Sequence, residues 1–579
     1  MKPVYLDAAG EAVAGMFHAP EGTPSGVGVL LLAPFGWDDQ SAFRPRRDWA
    51  CALAAAGHAA LRIDLPGSGD SAGSPRDPDR LGAWTAAAAA AAAWLRQGGA
   101  GRVTVIGMGL GGLVALSALA DGTPIEDLVL WGVPARGRTL VRELKAFGRL
   151  EASQTGEDAG DVPADEIRAG GHVLTAQTAV AVSALDAAEL LRQRAPERAL
   201  LLGRDGMGPD EALRAALMDA GTAVDSDPGH GWGAALAGPQ FAVTPWAVLT
   251  LTVEWLGAQR PGPAGLWHAT APATFELDVD GVAVRETALQ FDVDGCRLFG
   301  VLAEPADGAV SAPGTAVLLN AGAIRHIGPN RMWTEAARRW AATGVPTLRL
   351  DVEAIGESDG DAEAYEDDAA FYVPRLTEQV RRVLDALVER GLPPRFLLAG
   401  LCSGAFWAFH AALADERVRC AVLLNPQLLF WDADAGPRRE LRRALSVLTP
   451  SGFRALLRAD RPFARILEIV RWLLAAALRR RHGGGDRAPS GDALHAALES
   501  LRTRDQRLEL AFSGNEMLHA ELAREGRLPD LERRGVAVHD LPHLSHTLKP
   551  LGAQAATHAM LDEALARALV PAVASAQPQ

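Results

Sequence analysis

Residues 399–406 read AGLCSGAF. They close the apolar run RFLLAG and open AFWAFHAAL, so the stretch lies where a short buried strand turns into a helix. A nucleophile displayed on such a turn needs small residues two places before and two after it, because strand and helix approach closely there. Centred on Cys402, the flanks are Gly400 and Gly404. Centred on Ser403, they are Leu401 and Ala405, and Leu401 would clash. The reading is therefore G-x-C-x-G, with Cys402 as the candidate nucleophile and Ser403 supplying a backbone N–H.

The surrounding chain repeats itself. GVGVLLLAPFGWDDQ, ALRIDLPGSGDSAG and RVTVIGMGLGGLVAL in the first half correspond in order to GTAVLLNAGAIRHIG, TLRLDVEAIGESDG and RFLLAGLCSGAFWAF in the second. Asp64 and Ser71 precede Asp351 and Ser358 by 287 residues, and Gly107 precedes Gly400 by 293. Short Val-, Leu- and Ile-rich runs closed by Gly or Pro alternate with helical stretches such as RDWACALAAAG and WTEAARRWAATG, each ended by a glycine. Strand and helix alternating in this way predict a doubly wound, mostly parallel α/β sheet, formed twice. The Pro- and Gly-rich segment 257–272 is the expected seam, which sets domains at 1–260 and 273–579.

The 579 residues exceed the size at which one core keeps growing, in agreement with two domains. A net charge of −14 argues against a general nucleic-acid binder. Four cysteines in so long a chain give neither a disulfide framework nor metal-ligand spacing. The opening MKPVYLDAAGEAVAG lacks the apolar stretch of a signal peptide, and no run approaches the roughly 18 apolar residues of a membrane span. The expected setting is cytoplasmic, and no residue pattern implies a cofactor or metal.

The blocks NAGAIRHIGPNR, LRLDVEAIGESDG and GLCSGA resemble the α/β-hydrolase superfamily, in its serine-aminopeptidase-like and thioesterase-like branches, with cysteine in place of the usual serine. The resemblance covers both halves and implies two fused α/β-hydrolase domains, each with a helical lid insertion. It also implies the order nucleophile, acid, histidine, with the last two following late strands. Glu516, after RLELAF, is the best match for the acid, with Asn515 as runner-up; His546, after VAVHDLP, is the best match for the histidine, with His543 and His539 as competitors. The oxyanion hole is expected from the N–H of Ser403 and that of Ala321 or Gly322. Asp351 and Ser358 are expected to shape a loop.

At the matching turn the first half reads GMGLGG, which places Gly109, without a side chain, at the nucleophile position. Asp205 and His230 stand where an acid and a histidine would. The first domain is thus expected to be a degenerate partner that packs against the second, shapes its entrance or holds part of a substrate; the competing account has His230 activating water directly.

Within the expected lid, about 432–505, residues 437–487 carry thirteen arginines against four acids. An amphipathic helix with a solvated basic face is the plain reading. The sharper one is a docking face for CoA or pantetheine phosphates, or for an acidic acyl carrier protein, with a membrane surface as a third possibility. The expected function is acyl hydrolysis of thioesters or esters through an acyl-cysteine. The alternatives are an acyltransferase passing the acyl group to an amine or alcohol, and a noncatalytic scaffold.

Overall fold

The computed structural model describes residues 1–156, 166–257, 267–366, 368–430 and 491–569. The basic stretch 437–487 therefore lies outside the described residues, as does the glycine-rich HGGGDRAPSG after it. The end of the expected lid is a helix, Gly491–Thr503, whose Leu494, Ala497, Leu498 and Leu501 are buried. Among the described residues no helix is long and apolar enough to cross a membrane.

The first half builds an eight-stranded sheet. Its strands are β1 (Lys2–Ala8), β2 (Glu11–His18), β3 (Val27–Leu32), β4 (Ala59–Ile63), β5 (Arg102–Met108) and β6 (Asp127–Trp131). A separate hairpin, β7 (Glu166–Ala169) and β8 (His172–Thr175), precedes the last two, β9 (Arg198–Leu202) and β10 (Ala223–Asp227). The order is β1-β2-β4-β3-β5-β6-β9-β10, antiparallel through β2–β4 and parallel thereafter.

The second half repeats the plan in nine strands. They are β11 (Thr274–Val279), β12 (Val282–Val293), β13 (Cys296–Pro305), β14 (Thr315–Ala321), β15 (Thr347–Asp351), β16 (Phe396–Leu401), β17 (Val418–Leu424), β18 (Arg507–Phe512) and β19 (Ala537–Asp540). Their order is β11-β12-β13-β15-β14-β16-β17-β18-β19, again antiparallel at one edge and parallel from β15 on.

The continuous apolar runs become strands buried on both faces: every residue of β3, β14 and β16 is buried. Helices cover both sides, as the alternating pattern requires. Phe43–Ala55 and Met332–Ala342 link the first two parallel strands of each half, and each ends two residues before a left-handed glycine, Gly57 (φ 85°) and Gly344 (φ 87°). The proline- and glycine-rich seam is not all loose linker. Trp267 stacks on Phe17 at 4.6 Å, and Trp94 Nε1 donates to the Thr270 carbonyl, so its last residues pack on the first half.

The two halves meet through a buried ionic network. Arg62 donates to both carboxylate oxygens of Glu357, at 3.0 and 2.8 Å. Arg349 pairs with Asp70, and Arg325 donates to Asp64 at 3.1 and 2.8 Å. His326 lies between Asp351 of its own half and Asp70 of the other, 2.6 Å from each. Arg331 donates to the carbonyls of Gly69, Ser71 and Gly73. Asp351 and Ser358 are parts of this frame: Asp351 accepts from Asn320, from the His326 N–H and from the Glu357 N–H, while Ser358 Oγ donates to the Asp351 carbonyl.

Candidate active site

Cys402 stands at the end of β16 and caps helix Ser403–Ala414 with φ 59°, ψ −111°. A side chain rarely adopts a positive φ unless its surroundings impose it, and here two close approaches do. A Cβ on Gly404 would strike the Asn320 carbonyl oxygen, and one on Gly400 would strike the Gly404 backbone. The glycine at each flank is thus required by contact, and the thiol is lifted above the carboxyl ends of the parallel strands, where open sheets place ligands.

Three further segments converge on that thiol. They are residues 513–516, which follow β18, the loop after β19 that carries His546, and the loop after β14 that carries Gly322. His546 Nδ1 lies 2.9 Å from Glu516 Oε1, with the side chains 33% and 10% exposed. Asn515, with φ 70°, is exposed. His539 pairs with Glu509 along the strand, 3.1 Å away, and neither it nor His543 lines the cavity above Cys402.

Burial opposes charging the His546 ring, but the sulfur of Cys402 and the carboxylate of Glu516 outweigh it and raise the ring to about 10. His546 Nε2 nevertheless makes no hydrogen bond of ordinary geometry.

Gly322 (φ 58°), in the loop after β14, donates its N–H to Ser403 Oγ at 3.2 Å, so two candidate oxyanion donors sit side by side. The Ser403 N–H is the first of its helix and has no acceptor within it. Ala321, the other candidate, remains in β14 and pairs with Leu401.

Asn425, missed in the sequence, braces this arrangement. Fully buried at the end of β17 in a left-handed conformation (φ 43°), it accepts from the Ser513 N–H at 2.7 Å and donates to Ser513 Oγ and the His546 carbonyl, each at 2.9 Å. The first half braces the same loop: the Thr155 carbonyl accepts from the Leu544 N–H, and Glu151 holds Lys549 at 2.8 Å while Trp37 lies 4.0 Å beneath the ammonium.

The cavity above Cys402 measures about 550 Å³. Its lining includes Trp37 and Ala237–Phe241 of the first half, facing Ile324, Phe371 and Tyr372 of the second. A second cleft of about 260 Å³, between Arg44 and Arg47 on one side and Asp361 and Glu363 on the other, shares Pro239, Gln240 and Ala323 with it.

In the first half, Gly109 occupies the matching turn. Asp205 accepts from the Gly231 and Gly233 N–H groups at 2.5 and 2.6 Å, and His230 is exposed. Neither lines the cavity beside Leu110, which His172 of the β7–β8 hairpin borders instead.

No protein-family model and no curated relative matches the sequence. Solved structures similar to it include Est1E from Butyrivibrio proteoclasticus with ferulic acid bound (18% identity, TM-score 0.32, 44% of this chain and 99% of that one). Others are a thioesterase domain from the curacin biosynthetic pathway (15%, 0.28, 48% and 99%) and a dienelactone hydrolase from Anabaena variabilis (16%, 0.30, 49% and 98%).

Proposed function

We propose that the second half is a cysteine-dependent acyl hydrolase of thioesters or esters, working through an acyl-cysteine. The carrying observation is Cys402 on its strained cap beside a histidine that is itself tied to Glu516, with both Cys402 and His546 opening into one cavity. The thiol proton passes to His546 Nε2 ahead of attack, in keeping with the raised ring, and the sulfur then adds to the acyl carbonyl. The tetrahedral oxyanion is received by the N–H of Ser403 and by that of Gly322, which gives up its bond to Ser403 Oγ to reach it. Collapse breaks the bond to the leaving thiol or alcohol, which departs with the proton from His546. Water, deprotonated by the same histidine, then cleaves the acyl-cysteine to acid and free thiol. Glu516 orients the ring and stabilises its charged form. In this reading the first half is a degenerate domain that walls the cavity with Trp37 and Ala237–Phe241 and has no nucleophile of its own.

The acyltransferase reading is second, and the adjoining cleft favours it: an amine or alcohol held there would stand beside an intermediate that is itself a thioester. Mass spectrometry of the intact protein mixed with a panel of acyl thioesters tests the common step. An acyl adduct on Cys402, absent in Cys402→Ala, is expected; no adduct with any thioester, or one that persists in Cys402→Ala, defeats the proposal. Adding an amine and following the ratio of amide to acid separates transfer from hydrolysis.

A further inference from the structure

The first half keeps the backbone of an acyl site without its nucleophile. Gly109 has φ 50° and ψ −113°, against 59° and −111° at Cys402. A Cβ placed there would meet only Pro34, at 3.7 Å, so the space over the turn is open. Helix Leu110–Ala120 begins at the next residue, and its first N–H has no acceptor within the helix.

Beside Leu110 lies a cavity of about 110 Å³, bordered by Phe35, Gln40 and His172 and closed by Asn330 and Arg331 of the second half. Its wall gathers unpaired polar atoms. Both ends of the Gln40 amide, His172 Nε2 and Asn330 Oδ1 have no hydrogen-bond partner. Gln40 and Asn330 are only 6% and 5% exposed. The Asn330 amide orientation is fixed, because Nδ2 donates to the Thr547 and Leu548 carbonyls at 3.0 Å each, which leaves Oδ1 as the free acceptor. A buried polar group without a hydrogen bond is destabilising, so a cluster of them in one wall calls for a partner.

The balance of the wall indicates the partner's chemistry. Arg331 spends Nε and Nη2 on three backbone carbonyls, and its Nη1 lies 3.9 Å from Glu335, an acid of the same wall that offsets its charge. Burial drives His172 down to about 4, so its ring is neutral near neutral pH, with one nitrogen donating and one accepting. Gln40 also offers a donor and an acceptor. The volume is below the roughly 150 Å³ that encloses benzene, which suits a group of about four to six heavy atoms.

We propose that this vestigial acyl site binds a small uncharged carboxamide, free or as the end of a larger molecule, without covalent chemistry. The Leu110 N–H and the side chains of Gln40, His172 and Asn330 supply its hydrogen bonds. The proposal does not depend on chemistry at Cys402. Because Asn330 also holds the backbone just after His546, the site shares a side chain with the candidate catalytic loop.

The test uses the full chain with propionamide as the neutral probe and propionate as its charged counterpart, titrated by ligand-observed NMR, together with a propionamide-soaked crystal. Saturable propionamide binding is expected, about tenfold weaker in Gln40→Leu and in His172→Leu and unchanged in Cys402→Ala, with propionate at least about tenfold weaker. An unchanged rate of Cys402 alkylation in the two leucine variants verifies their fold. Non-saturable binding, wild-type affinity in both leucine variants, loss in Cys402→Ala, preference for propionate, or density for solvent alone in the cavity overturns it.

Discussion

Replacing Asp70 with Asn tests whether the buried network locks the two halves together. Asp70 faces His326, Arg349 and Arg325 from the other half, while His326 is also held by Asp351. Burial opposes a charged His326, but the two carboxylates outweigh it and raise the ring from 6.5 to about 9, a difference of about 3 kcal/mol. Because the folded value lies above the unfolded one, this stability is fully present below about pH 6.5 and is lost as pH rises through about 9. Asp70 itself is held well below the usual carboxylate value: burial opposes its charge, and His326 with Arg349 more than compensates. Its contribution is therefore present above about pH 4 and lost on further acidification. Asp70→Asn leaves Arg349 and His326 short of an acid, a loss of about 3–5 kcal/mol at pH 5.5. Urea unfolding of both proteins at pH 5.5, 7.5 and 9.5 reads the difference, which should shrink by at least about 1 kcal/mol toward pH 9.5 as His326 discharges in the wild type. A difference constant across that range, or one below about 1 kcal/mol at pH 5.5, refutes the reasoning.

Three further outcomes follow from the second site. His546→Ala should lower the acylation rate of Cys402 by about 10²–10⁴ and Glu516→Gln by less, as read in single-turnover mass spectrometry. Gly404→Ala pushes a methyl group onto the Asn320 carbonyl and should cost about 1–3 kcal/mol in thermal unfolding while slowing iodoacetamide alkylation of Cys402. Asn425→Ala strips partners from the buried Ser513 N–H and frees the His546 carbonyl, so it should reduce turnover more than substrate affinity and shift the pH profile of Cys402 alkylation.

The signals legible in the sequence were local. Gly400 and Gly404 betray a close crossing two residues either side of Cys402, and Glu516 and His546 each stand in a polar segment shortly after a strand. Asn425 was not legible because its role is to bridge the ends of two neighbouring strands, and no periodicity marks a side chain that turns back onto backbone. His172 was missed for a related reason. The expected place for a histidine in the first half is after its last strand, where exposed His230 lies, whereas the vestigial cavity is bordered by a hairpin inserted between β6 and β9. Nor could the wall at Ala237–Phe241 be found, since its function depends on how one half docks on the other.

That docking follows from the duplication. Arg62 and Glu357 pair across the halves, as do Arg349 and Asp70, and a step of 287 residues converts Arg62 to Arg349 and Asp70 to Glu357. The same contact is made twice with the partners exchanged, which is the rule of a two-fold dimer interface. The symmetry is incomplete: the Arg325–Asp64 pair and the Arg331 contacts have no counterpart exchanged at that step, and a further break lies at His326. His326, which grips Asp70, has Asp39 at the matching position, and Asp39 is instead tied to Arg46 of its own half. Two copies of the first half docked in this manner would bring Asp39 toward Asp70 with no histidine between them, and the like charges would repel. The difference is expected to disfavour pairing of like halves. With the halves bound to each other in this way, the first half contributes Trp37 and residues 237–241 to the Cys402 cavity, whose lining does not include Gly109.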